Sequence, residues 1–266
     1  TIGNMADLET ITRDQLESYY RMYYGPHNAI GILVGDVQTA AARQRLTELF
    51  APIPRGPEPP PVRQVEPPQR GERRVTVEGE ETTAHLQISY HAPAARDPDF
   101  TTLRVLNAVL AGANSMSLFS GGGSDNRSSR LYKALVASEL ATSAAGIVSP
   151  TRDPYLYSIV ATVRAGRTLA EVEEAVDVEL RRLQTEPVTA EELAKAVKQV
   201  RAQFAYSAES ATNQAYWLGL AEVVANQEWF DSFLERLATV TAEDVLELAN
   251  RILQQRNRTT GWYRPV

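Results

Sequence analysis

Histidine is the first residue type to follow here, because two imidazoles one helical turn apart bind zinc and a single one moves protons near neutral pH. The 266-residue sequence holds three, His27, His85 and His91. His85 and His91 are six residues apart, so an unbroken strand puts both on one face. Two rings that far apart do not make a metal site, and no neighbouring carboxylate pattern completes one. Both are expected to be ordinary strand histidines, and His27, after Pro26, a turn residue. Ser120-Gly121-Gly122-Gly123-Ser124-Asp125-Asn126 precedes a helical stretch, where backbone amides can hold an anion. The lysine of a phosphate-binding loop is missing and no strand leads directly in, so a connector is the plainer expectation. The acids Glu171, Glu173, Glu174, Glu191 and Glu192 fall in first turns of predicted helices. There they favour the helix dipole and are expected to face water, and paired-carboxylate catalysis is not indicated.

Bulk composition narrows the class. Hydrophobic content of 43% and charged content of 23% suit a soluble globular chain. Net charge is −6 and the basic residues are scattered, which argues against a nucleic-acid partner. No apolar run reaches the roughly 20 residues of a membrane span. The chain has no cysteine, which removes disulfide and thiolate chemistry and fits cytosol or periplasm equally.

These residues are carried by recognisable elements. Thr12-Arg13-Asp14-Gln15 is a capping box leading into Leu16, Tyr19, Tyr20 and Tyr23 at helical spacing. Gly25-Pro26 stops that helix. Ala29 to Val34 is apolar throughout and is expected to be a central strand of a sheet. Gly35-Asp36 then turns into a helix with Ala41, Leu46, Leu49 and Phe50. Eight of the fifteen prolines lie between residues 51 and 71, so that stretch runs extended in the polyproline manner. The expected division is a tail of one domain over 1–50, a linker over 51–72 and a complete domain over 73–266.

That second domain reads as strands, then helices, then a strand. Arg73–Val77, His85–Tyr90, Ala141–Ser149 and Tyr155–Val163 show strand patterning. Helices are expected from Pro98, through Leu131 and Leu135, and after the caps Thr168, Thr189 and Thr241. Trp217, Trp229 and Trp262 are expected as core or interface anchors. The order implies an α+β fold, an antiparallel sheet with helices packed on one face.

Tyr23-Tyr24-Gly25-Pro26-His27-Asn28-Ala29 running on to Gly35-Asp36-Val37, Ser128-Ser129-Arg130-Leu131-Tyr132-Lys133-Ala134-Leu135-Val136, and the closing Thr259-Thr260-Gly261-Trp262-Tyr263 resemble, in order, the pitrilysin/insulinase family of zinc metallopeptidases. The resemblance implies two similar α+β domains per subunit, of which the second is whole here. It implies a zinc site of the form His-x-x-Glu-His with a further glutamate, which the three histidines of this chain cannot supply. The motif is expected upstream of Thr1, so this chain carries no metal or catalytic residue and is inactive by itself, with zinc in the parent protein.

Two-subunit bacterial members pair a zinc-bearing subunit with a partner whose arginine and tyrosine hold the substrate backbone. Aligned on that phrase from Leu131, Val136 takes the arginine position and, with a one-residue gap, Thr142 the tyrosine position. Neither can replace its counterpart, so the resemblance implies the zinc-bearing type of subunit. It also implies a peptide or unfolded polypeptide as substrate and a homologous partner subunit or homodimer. In related mitochondrial processing subunits a glycine-rich loop faces the substrate chamber, and Gly121, Gly122, Gly123 and Ser124 occupy the matching place. The alternative is a non-catalytic structural or partner subunit of the same family.

Overall fold

The computed structural model of the chain describes residues 3–63, 65–113 and 127–266. It divides into two compact units, Thr1–Pro67 and Pro68–Val266.

The first unit contains α1 (Met5–Thr10), α2 (Arg13–Tyr23) and α3 (Thr39–Phe50). The Thr12 hydroxyl accepts from Gln15 N and the Gln15 side chain accepts from Thr12 N, closing the capping box. Pro26–Asn28 forms a single 3₁₀ turn, where the His27 ring lies against the backbone of Gly56 and Pro57. Ala29–Val34, expected as a central strand, is not in a strand. A strand needs neighbours to pair its amides and carbonyls, and within this unit the described residues offer no second strand. None of the three helices contains a buried residue, and Ile30 and Leu33 are each 56% exposed.

The second unit is an α+β domain. Its strands are β1 (Arg73–Gly79), β2 (His85–Ala92), β3 (Ala141–Val148), β4 (Tyr155–Val163) and β5 (Arg258–Pro265). They lie in the order β1-β5-β2-β4-β3. Pairing is antiparallel from β5 through β2 and β4 to β3, while β1 joins the edge parallel to β5. Alternation chooses the faces. Leu86, Ile88 and Tyr90 of β2 and Tyr157, Ile159 and Ala161 of β4 are buried toward the helices. The register sets Tyr90 beside Tyr157 and Ile88 beside Ile159.

Against that face pack α4 (Asp99–Leu110), α5 (Leu169–Thr185) and α10 (Ala242–Ile252). Behind them lie α6 (Ala190–Ser207), α7 (Ala211–Val224), α8 (Gln227–Asp231) and α9 (Phe233–Thr239). Thr168, Thr189 and Thr241 each close a capping box at the head of α5, α6 and α10. Trp217 and Trp229 are core residues, packed with Phe100, Phe230 and Phe233. The stretch through Leu131 and Leu135, expected as a helix, is a short π-helical turn over Tyr132–Val136.

α4 crosses β3 at Gly146, where a Cβ would overlap the buried Asn107 carboxamide. Gly146→Ala should therefore force α4 away from the sheet and cost about 1–3 kcal/mol, the usual range for an overpacked core. Urea unfolding of the single variant measures it.

Candidate functional site

The face of the sheet away from the helices carries the chemistry that an extended ligand could meet. One row crosses all five strands: Val77 pairs with Tyr263, Tyr263 with His85, His85 with Thr162, and Thr162 with Ser143. Each of these residues is exposed or partly exposed. His85 Nδ1 lies 3.3 Å from the Thr162 hydroxyl, and the Tyr263 phenol accepts from Glu81 N at 3.0 Å. The phenol also lies over Gly79, whose missing side chain makes room for it. The row offers a phenol, an imidazole and two hydroxyls along one line, suited to hydrogen-bonding a peptide backbone. His91, on the same face, sets its Nδ1 3.0 Å from Asn257 Oδ1. Among the described residues, no three His, Asp or Glu side chains are grouped to hold a metal ion.

Thr142 lies at the end of this row. It occupies a register shift between Ala141 and Ser143, is exposed, and donates its hydroxyl to Thr162 O at 3.3 Å. A bulge re-aims a side chain out of strand alternation. Val136 closes the π-helical turn beside β3 and is partly buried. Between them Glu139 adopts φ 62°, a left-handed conformation uncommon for a side chain of its kind. The fold thus brings the two positions to one end of the sheet, joined by a tight turn. Gly121, Gly122, Gly123 and Ser124 lie outside the described residues.

Sequence reasoning missed the charged networks. Glu173, expected to face water, is buried at 6% exposure. It accepts from Arg258 Nη2 at 2.7 Å and from the Trp262 indole at 2.8 Å, and it pairs with Arg74. Arg258, itself buried, also meets Asp177 at 2.6 Å and the Thr260 hydroxyl at 2.8 Å. Glu72 joins through Arg74 at 3.0 Å, and Gln69 donates to Arg258 O at 2.7 Å. β1, β5 and α5 are tied by these bonds to the segment that enters the unit. Glu72, Arg74, Asp177 and Arg258 of this network line a cavity of about 340 Å³. Burial raises the Asp177 carboxyl above its ordinary value, against the opposing pull of Arg258. Burial likewise pushes the neighbouring Tyr90 phenol up to about 12.

A second pair fixes the family-like Ser128–Val136 stretch. Arg130, almost fully buried, grips Glu192 with two bonds of 2.9 Å, while Glu192 also caps α6 through Thr189. The Arg130 bond is the main cause holding the Glu192 carboxyl down to about 2, against the opposing effect of burial. A depressed carboxyl contributes stability above its unfolded value and loses it as pH falls toward the folded one. Glu192→Gln should cost about 1–2 kcal/mol at neutral pH. It should also flatten the fall in stability between about pH 4.5 and 2. Urea titrations of both proteins across that range check the sign.

Comparison with known proteins agrees with this architecture. The family described as Peptidase M16 inactive domain matches residues 10–200. The zinc protease PqqE of Helicobacter pylori is 23% identical over 271 residues, covering 99% of this chain and 57% of that protein. An uncharacterized zinc protease of Streptomyces coelicolor is 24% identical over 263 residues, covering 96% and 54%. The crystal structure of a protease from Helicobacter pylori superposes with a TM-score of 0.88 at 22% identity, over 99% of this chain and 62% of that one. The chain thus spans a little over half the length of the curated relatives it matches. With the matched residues running from the first unit across most of the second, the chain belongs to the peptidase M16 inactive domain family.

Proposed function

We propose that this chain is the non-catalytic half of a zinc-dependent endopeptidase subunit. Its second unit forms part of a substrate chamber and docks a homologous partner subunit. The observation that carries this reading is the open sheet face, whose row from Val77 to Ser143 faces away from the helices and offers hydrogen-bonding groups to an extended peptide. Family membership and the zinc-protease names of the relatives support it. The His-x-x-Glu-His site belongs to a part of the protein outside these residues. Zinc bound there would supply the activated water.

In this reading Thr1–Pro67 completes the zinc-bearing domain. The unpaired Ala29–Val34 run and the bare apolar faces of α2 and α3 are covered by that domain's other strands and helices. Valine at 136 and threonine at 142, in place of the arginine and tyrosine, support the zinc-bearing type of subunit over the substrate-holding partner. Reading the gene upstream of Thr1 tests the proposal. An in-frame His-x-x-Glu-His followed by a glutamate is expected. A degraded motif would overturn it in favour of a non-catalytic subunit with structural duties.

A further inference from the structure

A second pocket lies where α7, α8 and α9 meet the loop after β2, away from the open sheet face. It is an open depression of about 410 Å³, and its lining includes Arg96, Asn226, Glu228, Trp229, Ser232 and Arg236. Arg236 is the unusual member. Its Nη2 donates to Trp229 O at 2.7 Å, but its Nε is shut off from solvent with no hydrogen-bond partner. The indole Nε1 of Trp229, a residue only 4% exposed, is likewise buried without a partner. Arg74, Arg130 and Arg258 each meet a carboxylate, and the buried Arg104 donates to the Val148 carbonyl at 3.2 Å. Arg236 meets none within ion-pair distance among the described residues.

A partly buried guanidinium without a counter-charge is costly to the fold, and an arriving anion would relieve that cost. Burial, with no acid to oppose it, already pulls this guanidinium below its ordinary value. Arg96 touches Asp153 only at 3.9 Å, with both side chains mostly exposed, so its fork is free to turn inward. Two arginines against the single Glu228 leave the lining with a positive excess. Asn226 and Ser232 are neutral polar side chains of the wall, with Asn226 Oδ1 accepting from Trp229 N at 2.8 Å and Ser232 Oγ donating to Glu228 O at 2.6 Å.

We propose that this pocket is an oxyanion site, taking a small ligand with a phosphate or carboxylate group held by Arg236 and Arg96. Its volume exceeds that of a single ion and leaves room for an organic remainder. The site is independent of the peptidase reading.

The test titrates the 266-residue chain with sodium phosphate and, separately, sodium acetate, each against sodium chloride at equal ionic strength. Tryptophan fluorescence and melting temperature are read together. Saturable quenching and a rise in melting temperature are expected with one or both oxyanions and not with chloride; which one saturates at lower concentration tells phosphate from carboxylate. Arg236→Met should weaken binding about tenfold or more, as loss of a charge-assisted bond does. Arg96→Met, at an exposed position that should not affect folding, should weaken it severalfold. Trp229→Phe should lose the fluorescence change while keeping the melting shift. Responses matching chloride, or saturation unchanged in both arginine variants, would overturn the assignment.

Discussion

Arg258→Met should lower the stability of the second unit by about 3–5 kcal/mol, the usual cost of removing one partner from a buried ion network. The change leaves Glu173 and Asp177 without the guanidinium that both of them bind. The two carboxylates lie on α5, while Arg258 begins β5, so the loss should loosen the join between helix layer and sheet. Two further measurements separate this account from simple loss of side-chain volume. In the double variant Arg258→Met/Asp177→Leu, the second change should restore part of the lost stability, because it removes the carboxylate whose ion pair is gone, while Glu173 keeps Arg74. The defect should also shrink on acidification. The Asp177 carboxyl is already raised by burial and would rise further without Arg258. A raised carboxyl means that the folded form takes up the proton more readily, so stability increases as pH falls toward the folded value. Urea unfolding at mildly acidic and at alkaline pH reads this directly. An equal defect at both would place the effect in packing instead.

Cutting the chain at Pro67 should give two products of opposite character. Residues 68–266 should unfold in one cooperative transition, since they contain the whole buried cluster that runs from Leu86 to Leu253. Residues 1–67 should show little fixed structure and no cooperative melt. Their helices bury nothing, and Tyr19, Tyr20, Leu33 and Leu49 are each at least half exposed. A unit of that size without a core does not offset the conformational entropy of folding. Circular dichroism of the two pieces against temperature checks both halves. A cooperative melt of 1–67 alone would contradict the proposal that its apolar faces belong to a larger domain.

The legible parts of this chain were those set by neighbours in sequence. The caps at Thr12, Thr168, Thr189 and Thr241 each join residues three apart, and all four are present. The alternation of Leu86, Ile88 and Tyr90 announced a strand with one buried face. What depended on distant pairing was not visible. Ala29–Val34 is apolar enough for a sheet centre, but a strand exists only where others pair with it. The parallel seating of β1 beside β5 joins the two ends of the unit, and nothing local to Arg73–Gly79 encodes it.

The site followed the same rule. Val136 and Thr142 were singled out only through wording shared with a family, and the fold sets them at one end of the sheet. Glu173 looked like any acid in a first helical turn. Its burial depends on arginines that approach from β1 and β5. A signal was present in the strand itself, since Arg258 shares the inward register with Thr260 and Trp262. A charge at the inward position of a strand calls for a buried counter-charge. Arg236 left no such trace, because its oddity is the absence of a counter-charge, its Nη2 donating instead to the Trp229 carbonyl.

The most direct measurement of the central claim is zinc content and peptide hydrolysis by the purified 266-residue chain, with and without chelator. The account predicts no stoichiometric zinc and no chelator-sensitive cleavage, with activity arising only when the part bearing His-x-x-Glu-His is supplied. Tight, stoichiometric zinc together with cleavage by these residues alone would contradict it.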